Sequence, residues 1–379
     1  MRIGFFTDGY KPQANGVATS VYNCAKQLKK RKQDIFIIAP KYPNTRDAKN
    51  VIRLPSFKID KQLDIRVVHN LPPKTLLKIH RLNLDLIHGH SGGPISLLGL
   101  EYARLKKIPY IFTYHTLWDR YTHYFLRGKI LTPKMARAAS RILGNRCSAL
   151  IVPTEKVKKE LISYGVKKPI FIVPNGLDVK KFSVINNNYL RKKFNLLKQD
   201  EILLFVGRLG KEKSIDFLIN AFLLISKTQK NTKLVIVGEG PEKENLVKIA
   251  QELGLLNKVL FTGTIDYNDL PKVYKDADLF VFASTTETQG MVILEAMASG
   301  LPILAVKDEA IGEIIGGQKS GVLVEKNERE FAKQAVILLE NKKLRDKLSE
   351  NAKKRIKQFS VEKVVDRLEK VYQFSIEHQ

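Results

Sequence analysis

The sequence predicts an α/β protein built from two doubly wound parallel sheets that face a central cleft. Its 379 residues suffice for two ordinary hydrophobic cores, and short apolar strands alternate with helical stretches along the chain. The alternation falls into two series, separated by a turn-rich connector. The first series has strands over residues 3–6, 35–39, 51–54, 86–89, 110–113 and 150–152. A strand over 170–173 leads into the second series, at 202–206, 233–237, 259–261, 279–282 and 302–305. The turn Pro174-Asn175-Gly176 and the polar run Asn186-Asn187-Asn188 mark the connector. The expected domains are therefore 1–173 and 174–379, the second closed by a charged helix from about Asn341 onward.

The composition narrows the function classes. Cys24 and Cys147 are too few for a disulfide framework and read as buried thiols of a reducing compartment. The chain opens on the apolar strand Arg2-Ile3-Gly4-Phe5-Phe6, without secretory-signal features, and no apolar run approaches the roughly 20 residues that span a bilayer. The net charge of +27 is unevenly spread: residues 1–173 hold 32 Lys and Arg against 10 Asp and Glu, while residues 174–379 hold 33 against 28. A field so one-sided draws polyanions, either anionic lipid headgroups or nucleic acid, to the first domain. Two segments there interleave cations with apolar residues at helical spacing: Lys74, Lys78 and Arg81 in residues 74–82, and Lys134, Arg137 and Arg141 in residues 133–143. Such helices can lie in a headgroup layer, or can simply face a core with solvated cations. The charge asymmetry favours the headgroup layer.

The chemistry concentrates at strand ends, where doubly wound sheets bind ligands. After the strand at 279–282 comes a polar loop and a helix containing Glu287, Gln289, Gly290, Met291, Val292 and Glu295, closed by Gly300 and Pro302. Gly290 permits close backbone approach, and the first helical turn offers orphan N–H groups and a positive dipole end to phosphate. At their spacing, Glu287 can reach a sugar hydroxyl while Glu295 accepts from a ribose hydroxyl. After the strand at 202–206, Arg208 and Lys213 can clamp a diphosphate and stabilise its developing charge. A Walker A loop is excluded, because Glu212 follows Lys211 and no Gly stands five before Gly210. Gly16 lies between the first strand and first helix, and His115 follows the strand at 110–113. Gly238-Glu239-Gly240-Pro241 reads as a tight turn, and Asp276-Ala277-Asp278 as a structural turn rather than a metal-binding pair. No essential metal or other cofactor is expected.

These landmarks, in order, resemble glycosyltransferase family four, retaining enzymes of the GT-B fold with two Rossmann-like domains. They are Asn15-Gly16-Val17, His115-Thr116, Pro174-Asn175-Gly176-Leu177-Asp178, Gly207-Arg208 with Lys213, and Glu287 with Glu295. The segment from Tyr114 through Trp118, Tyr121 and His123 to Tyr124, with Gln289 before Gly290, is similar to the bacterial diacylglycerol glucosyltransferases within that family. The resemblance implies that Gly16 contacts the diphosphate through its backbone and His115 the transferred sugar. It also implies that Arg208 and Lys213 hold the diphosphate, Glu287 the sugar hydroxyls and Glu295 the ribose. The implied partners are a UDP-sugar donor, a lipid acceptor and the inner face of the cell membrane. Another donor (UDP-galactose, GDP-mannose) or acceptor (polyprenyl lipid, polysaccharide) fits the same pattern.

A basic nucleic-acid binder is the rival from a different class. Against it, the lysines lack interleaved stacking aromatics, no base-reading motif appears, and Glu287 and Glu295 occupy the proposed site. A sugar-nucleotide sensor without catalysis also remains open.

Overall fold

The computed structural model describes residues 1–379 except 14, 44, 46–47, 59–65, 121, 123–131 and 184–187. Tyr121, His123, Tyr124, Asn186 and Asn187, which carry parts of the sequence reading, lie outside the described residues.

The chain divides into two compact units, Met1–Gly176 with Val361–Gln379, and Leu177–Ser360. The first unit contains β1 (Arg2–Thr7), β2 (Asp34–Pro40), β3 (Val51–Leu54), a two-stranded hairpin of β4 (Ser56–Lys58) and β5 (Arg66–Val68), β6 (Leu86–His90), β7 (Tyr110–Thr113), β8 (Ala149–Val152) and β9 (Ile170–Ile172). Seven of these form one parallel sheet in the order β3-β2-β1-β6-β7-β8-β9. Successive side chains on a strand point to opposite faces, so neighbours in sequence enter different cores. Phe5, Ile37, Leu86, Ile111 and Ile151 pack on one face. Phe6, Ile38, Ile87, Phe112 and Leu150 pack on the other. Both faces are covered, which is why these strands read as continuous apolar runs rather than alternating ones.

The second unit repeats the plan with β10 (Glu201–Val206), β11 (Thr232–Val237), β12 (Val259–Gly263), β13 (Leu279–Phe282), β14 (Ile303–Val306) and β15 (Val322–Val324). They form a parallel six-stranded sheet in the order β12-β11-β10-β13-β14-β15. Gly238 follows β11 directly. Its φ is +138°, and a Cβ there would lie 1.9 Å from the Gly207 carbonyl oxygen, so only glycine lets the ends of β10 and β11 pass so closely.

The expected domain boundary needs correcting. The first unit runs on to Gly176, and the last helix, Val361–Glu377, belongs to that unit rather than to the second. Val361, Val364, Val365, Leu368, Val371 and Tyr372 form its buried stripe and complete the core beneath Phe5, Ile37 and Leu86. The sequence shows such a stripe but not which sheet it covers. Arg31 locks the helix in place, bonding Asp366 and Glu369, each at 2.6 Å. Tyr372 reaches through the core to place its hydroxyl 2.8 Å from His88 Nδ1.

Tyr372→Phe leaves a buried imidazole nitrogen without its partner and should destabilise the first unit by about 1–3 kcal/mol. Tyr372→Ala adds a cavity and should cost about 3–5 kcal/mol. Urea unfolding midpoints check both, and a Phe variant as stable as the parent would show that His88 does not depend on this bond.

Candidate active site

In the second unit the order of strands reverses at β10, which pairs with β11 on one side and β13 on the other. Such a reversal opens a crevice at the carboxyl ends of the two strands, and the predicted residues stand there. Arg208 follows β10, and its Nη2 donates to Glu212 Oε1 at 2.5 Å. Lys213 closes a short 3-10 turn, Lys211–Lys213, and its Nζ donates to Glu287 Oε1, also at 2.5 Å, in the loop after β13. The structure thus brings Lys213 and Glu287 together across 74 residues of sequence. Both cations expected to await a diphosphate are held on carboxylates, a pairing that fixes their positions and keeps the local charge near balance. A phosphate ligand entering here exchanges one anionic partner for another.

Gly290 has φ +81° and starts the helix Met291–Ser299 from a left-handed conformation that side chains disfavour. Met291 and Val292 form its first turn, whose backbone N–H groups have no intrahelical acceptor by position. Gln289 is buried immediately before it. Glu295 lies on the buried side of the same helix, where Tyr274 donates its hydroxyl to Glu295 Oε2 at 2.7 Å. Burial pushes the Glu295 carboxyl up to about 7, against the opposing pull of the Tyr274 hydrogen bond and of Lys181.

Asp276 and Asp278 act as the structural turn predicted for them. Asp276 Oδ2 accepts the Leu190 N–H at 2.7 Å, and Asp278 Oδ2 accepts that of Ile202 at 2.8 Å. Among the described residues no cluster of three or more His, Cys, Asp or Glu is arranged to hold a metal.

In the first unit the sheet reverses at β1, between β2 and β6. Gly16 opens the helix Gly16–Lys30, whose cap is Asn15: the Asn15 side chain accepts the Ala18 N–H at 2.8 Å. Asp8, just past β1, does the same for the helix Pro94–Lys106, whose own cap residue is the side-chain-free Gly93. It accepts the N–H groups of Gly93 and Ile95, each at 2.9 Å. Burial nevertheless raises the Asp8 carboxyl to about 6.

His115 follows β7 and is buried. Its Nε2 lies 3.1 Å from His90 Nδ1, and the Asn175 side chain also hydrogen-bonds the ring. Burial lowers its pKa to about 4, so the ring is neutral at physiological pH. His115 is thus tied to His90 and Asn175 within the first unit.

The basic helices differ from one another. On Pro73–His80 only Ile79 is buried, while Leu76 and Leu77 stand exposed beside Lys74 and Lys78, with Arg81 just beyond. An apolar-cationic face that meets no core is the arrangement an interfacial helix needs. Pro133–Arg146 buries Ala136, Ser140 and Leu143 and exposes Met135 and Ile142 beside Lys134 and Arg141. Arg137 on this helix is committed elsewhere, its Nε donating at 3.1 Å to the buried carboxylate of Asp119. No described helix is long and apolar enough to cross a membrane.

Glu212, Tyr274, Asn175, Asp8 and His90 are absent from the sequence-derived site. Glu212 stands four residues after Arg208, a spacing at which a carboxylate meets a guanidinium, and His90 ends a strand as His115 follows one. Asn175 lies in the Pro174-Asn175-Gly176 landmark, though its partner is set by the fold, and Tyr274 carries no such signal.

Comparison with known proteins agrees with this architecture. Residues 14–181 match the description "Glycosyltransferase Family 4" and residues 186–355 match "Glycosyl transferases group 1". An alpha-monoglucosyldiacylglycerol synthase of Streptococcus pneumoniae is 35% identical over 330 residues, covering 85% of this chain and 75% of the relative. Its namesake from Acholeplasma laidlawii is 31% identical over 391 residues, covering 98% and 96%. Among solved structures, Anabaena HepE in complex with UDP superposes with a TM-score of 0.79 at 19% identity, over 99% of this chain and 100% of that one. Sucrose-phosphate synthase from Thermosynechococcus elongatus gives 0.80 at 19%, over the full length of both. Two parallel-sheet units with this coverage define a glycosyltransferase of the GT-B class. Within that class, the chain belongs to glycosyltransferase family 4.

The state of Glu295 makes a stability prediction. Its folded pKa of about 7 lies above the ordinary 4.5, so the folded state holds a proton that the unfolded chain releases between these values. Stability from this group therefore rises as the pH falls from 7 towards 4.5, and the buried anion weakens the fold above pH 7. Glu295→Gln should raise Tm at pH 8 and leave it nearly unchanged at pH 4.5. Calorimetry at both pH values checks this, and equal shifts at the two would refute the raised pKa.

Proposed function

We propose that the chain transfers glucose from UDP-glucose to the free hydroxyl of diacylglycerol, with the α configuration retained, while resting on the inner face of the cell membrane. The observation that carries this reading is the identity of 31–35%, over most of the chain, with two relatives named as synthases of α-monoglucosyldiacylglycerol. The UDP in the Anabaena relative supports a nucleotide-sugar donor. The exposed leucines and cations of the Pro73–His80 helix and the charge excess of residues 1–173 support a lipid surface as the acceptor's source.

On this reading the acceptor hydroxyl attacks the anomeric carbon from the face the diphosphate leaves. The bond from that carbon to the diphosphate oxygen breaks, and the departing oxygen takes the hydroxyl's proton. Arg208, Lys213 and the N-terminus of the Met291–Ser299 helix stabilise the charge left on the diphosphate, a task that needs no metal ion. Glu287 orients the sugar hydroxyls. Glu295 accepts the ribose hydroxyls, so UDP binding should tighten as the pH rises through about 7 and this carboxylate ionises.

The test is release of UDP from UDP-glucose by the protein mixed with vesicles containing diacylglycerol, with and without anionic lipid, and with EDTA. Lipid-dependent release, a labelled glycolipid and indifference to EDTA are expected. Release only with GDP-mannose or UDP-galactose, or only with a soluble acceptor, would retain the transferase and discard the glucose or diacylglycerol assignment. Replacing Lys74, Lys78 and Arg81 by Glu should reduce vesicle binding and lipid-dependent turnover without changing UDP affinity. Glu287→Ala should lower kcat by about 10²–10³-fold, and unchanged turnover would remove Glu287 from the site.

A further inference from the structure

β6 ends on His90, at the reversal of the first sheet. Its ring is the middle member of a row of three buried imidazoles. The centroid lies 4.0 Å from that of His88 and 5.4 Å from that of His115, the latter pair nearly parallel at 24°. His88 is fixed at both nitrogens, Nδ1 to the Tyr372 hydroxyl at 2.8 Å and Nε2 to Thr113 Oγ1 at 2.6 Å. Phe5 packs against both His88 and His90 at 5.2 Å. His90 is thereby held by strands, whereas His115 stands on the irregular segment beyond β7.

Among the described residues His90 Nε2 has no hydrogen-bond partner, although the side chain is only 4% exposed. The ring spends its hydrogen bonding on His115, through the contact of Nδ1 with Nε2 at 3.1 Å. Burial keeps all three rings neutral. A neutral imidazole donates at one nitrogen and accepts at the other, so a contact between two such rings ties the tautomer of one to that of its neighbour. An orphaned buried nitrogen is costly, and its persistence here indicates that the orientation of this ring is set by its neighbours rather than by its own satisfaction.

We propose that His90 is a positioning residue for sugar transfer, fixing, together with Asn175, the ring plane and tautomer of His115. The inference rests on the reading of His115 as a residue of the transfer site. His90 touches neither donor nor acceptor; it presents His115 in one orientation, so that the ring enters each turnover without first having to reorganise.

The experiment compares His90→Phe, which fills the space without a nitrogen, with His90→Asn, whose amide brings a polar atom near the place of Nδ1. In the full-length protein assayed with UDP-glucose and diacylglycerol vesicles, His90→Phe should lower kcat by about 10–100-fold while leaving the donor KM and UDP Kd within about twofold. His90→Asn should restore most of that loss. The ¹⁵N chemical shifts of His115 in histidine-labelled protein should report one tautomer in the parent and a mixture in His90→Phe. Full kcat in His90→Phe, equal losses in both variants accompanied by a lowered Tm, or unchanged His115 shifts would each overturn the proposal. His115→Ala separates the two readings: activity in that variant would remove His115 from transfer, while the nitrogen shifts would still judge its coupling to His90.

Discussion

A strand added in parallel to a sheet can be reached only through a crossover, and in each unit successive crossovers leave one strand in opposite directions. The strands concerned are β1, flanked by β2 and β6, and β10, flanked by β11 and β13. At those two places the connecting segments separate instead of packing together, and backbone groups at the strand ends are left for side chains to complete. Asp8 and His90 stand at the first reversal; Arg208 and Glu287 stand at the second. The rest of the site depends on this arrangement. Lys213 finds Glu287, and Asp8 caps a helix that begins 86 residues later, only because the sheet order makes distant strand ends adjacent.

The electrostatics of the second unit follow a related economy. Arg208 and Lys213 are long, mobile side chains, and holding each against a carboxylate removes rotamer freedom that a ligand would otherwise have to remove. Glu295 shows the opposite situation, a carboxyl buried against a tyrosine hydroxyl where its charge is disfavoured. A chain optimised for stability alone would place an apolar residue there, and strain of this kind is characteristic of binding sites.

Most of the fold was legible because strands buried on both faces leave unmistakable apolar runs, as at 202–206 and 279–282. β15 and the β4–β5 hairpin, three residues to a strand, were missed. The final helix was assigned to the wrong unit for a different reason: amphipathicity reveals a stripe, whereas its destination is decided by a long-range contact. The site divides similarly. Arg208, Lys213, Glu287 and Glu295 are where strand ends and helix starts put them, so their positions could be inferred. Of their partners, Glu212 follows Arg208 at a telling spacing, whereas Tyr274 meets Glu295 only through the fold. His115 shows the limit clearly: spacing places it just beyond a strand end, but only the fold brings His90 beside it.

The location of the last helix sets the order in which this protein can be made. Residues 361–372 supply one wall of the first unit's core, and they emerge from the ribosome after the whole of Leu177–Ser360. In chain order the second unit is an insertion in the first, entered and left at neighbouring points, with the Leu177 N–H bonded to the Phe359 carbonyl at 3.0 Å. The segment carrying most of the net positive charge must therefore wait, one face of its sheet covered by the Gly16–Lys30 helix but not yet by the last, until the later-made unit has been translated. During that interval the apolar surface of β1, β2 and β6 that the last helix later covers is a natural substrate for chaperones.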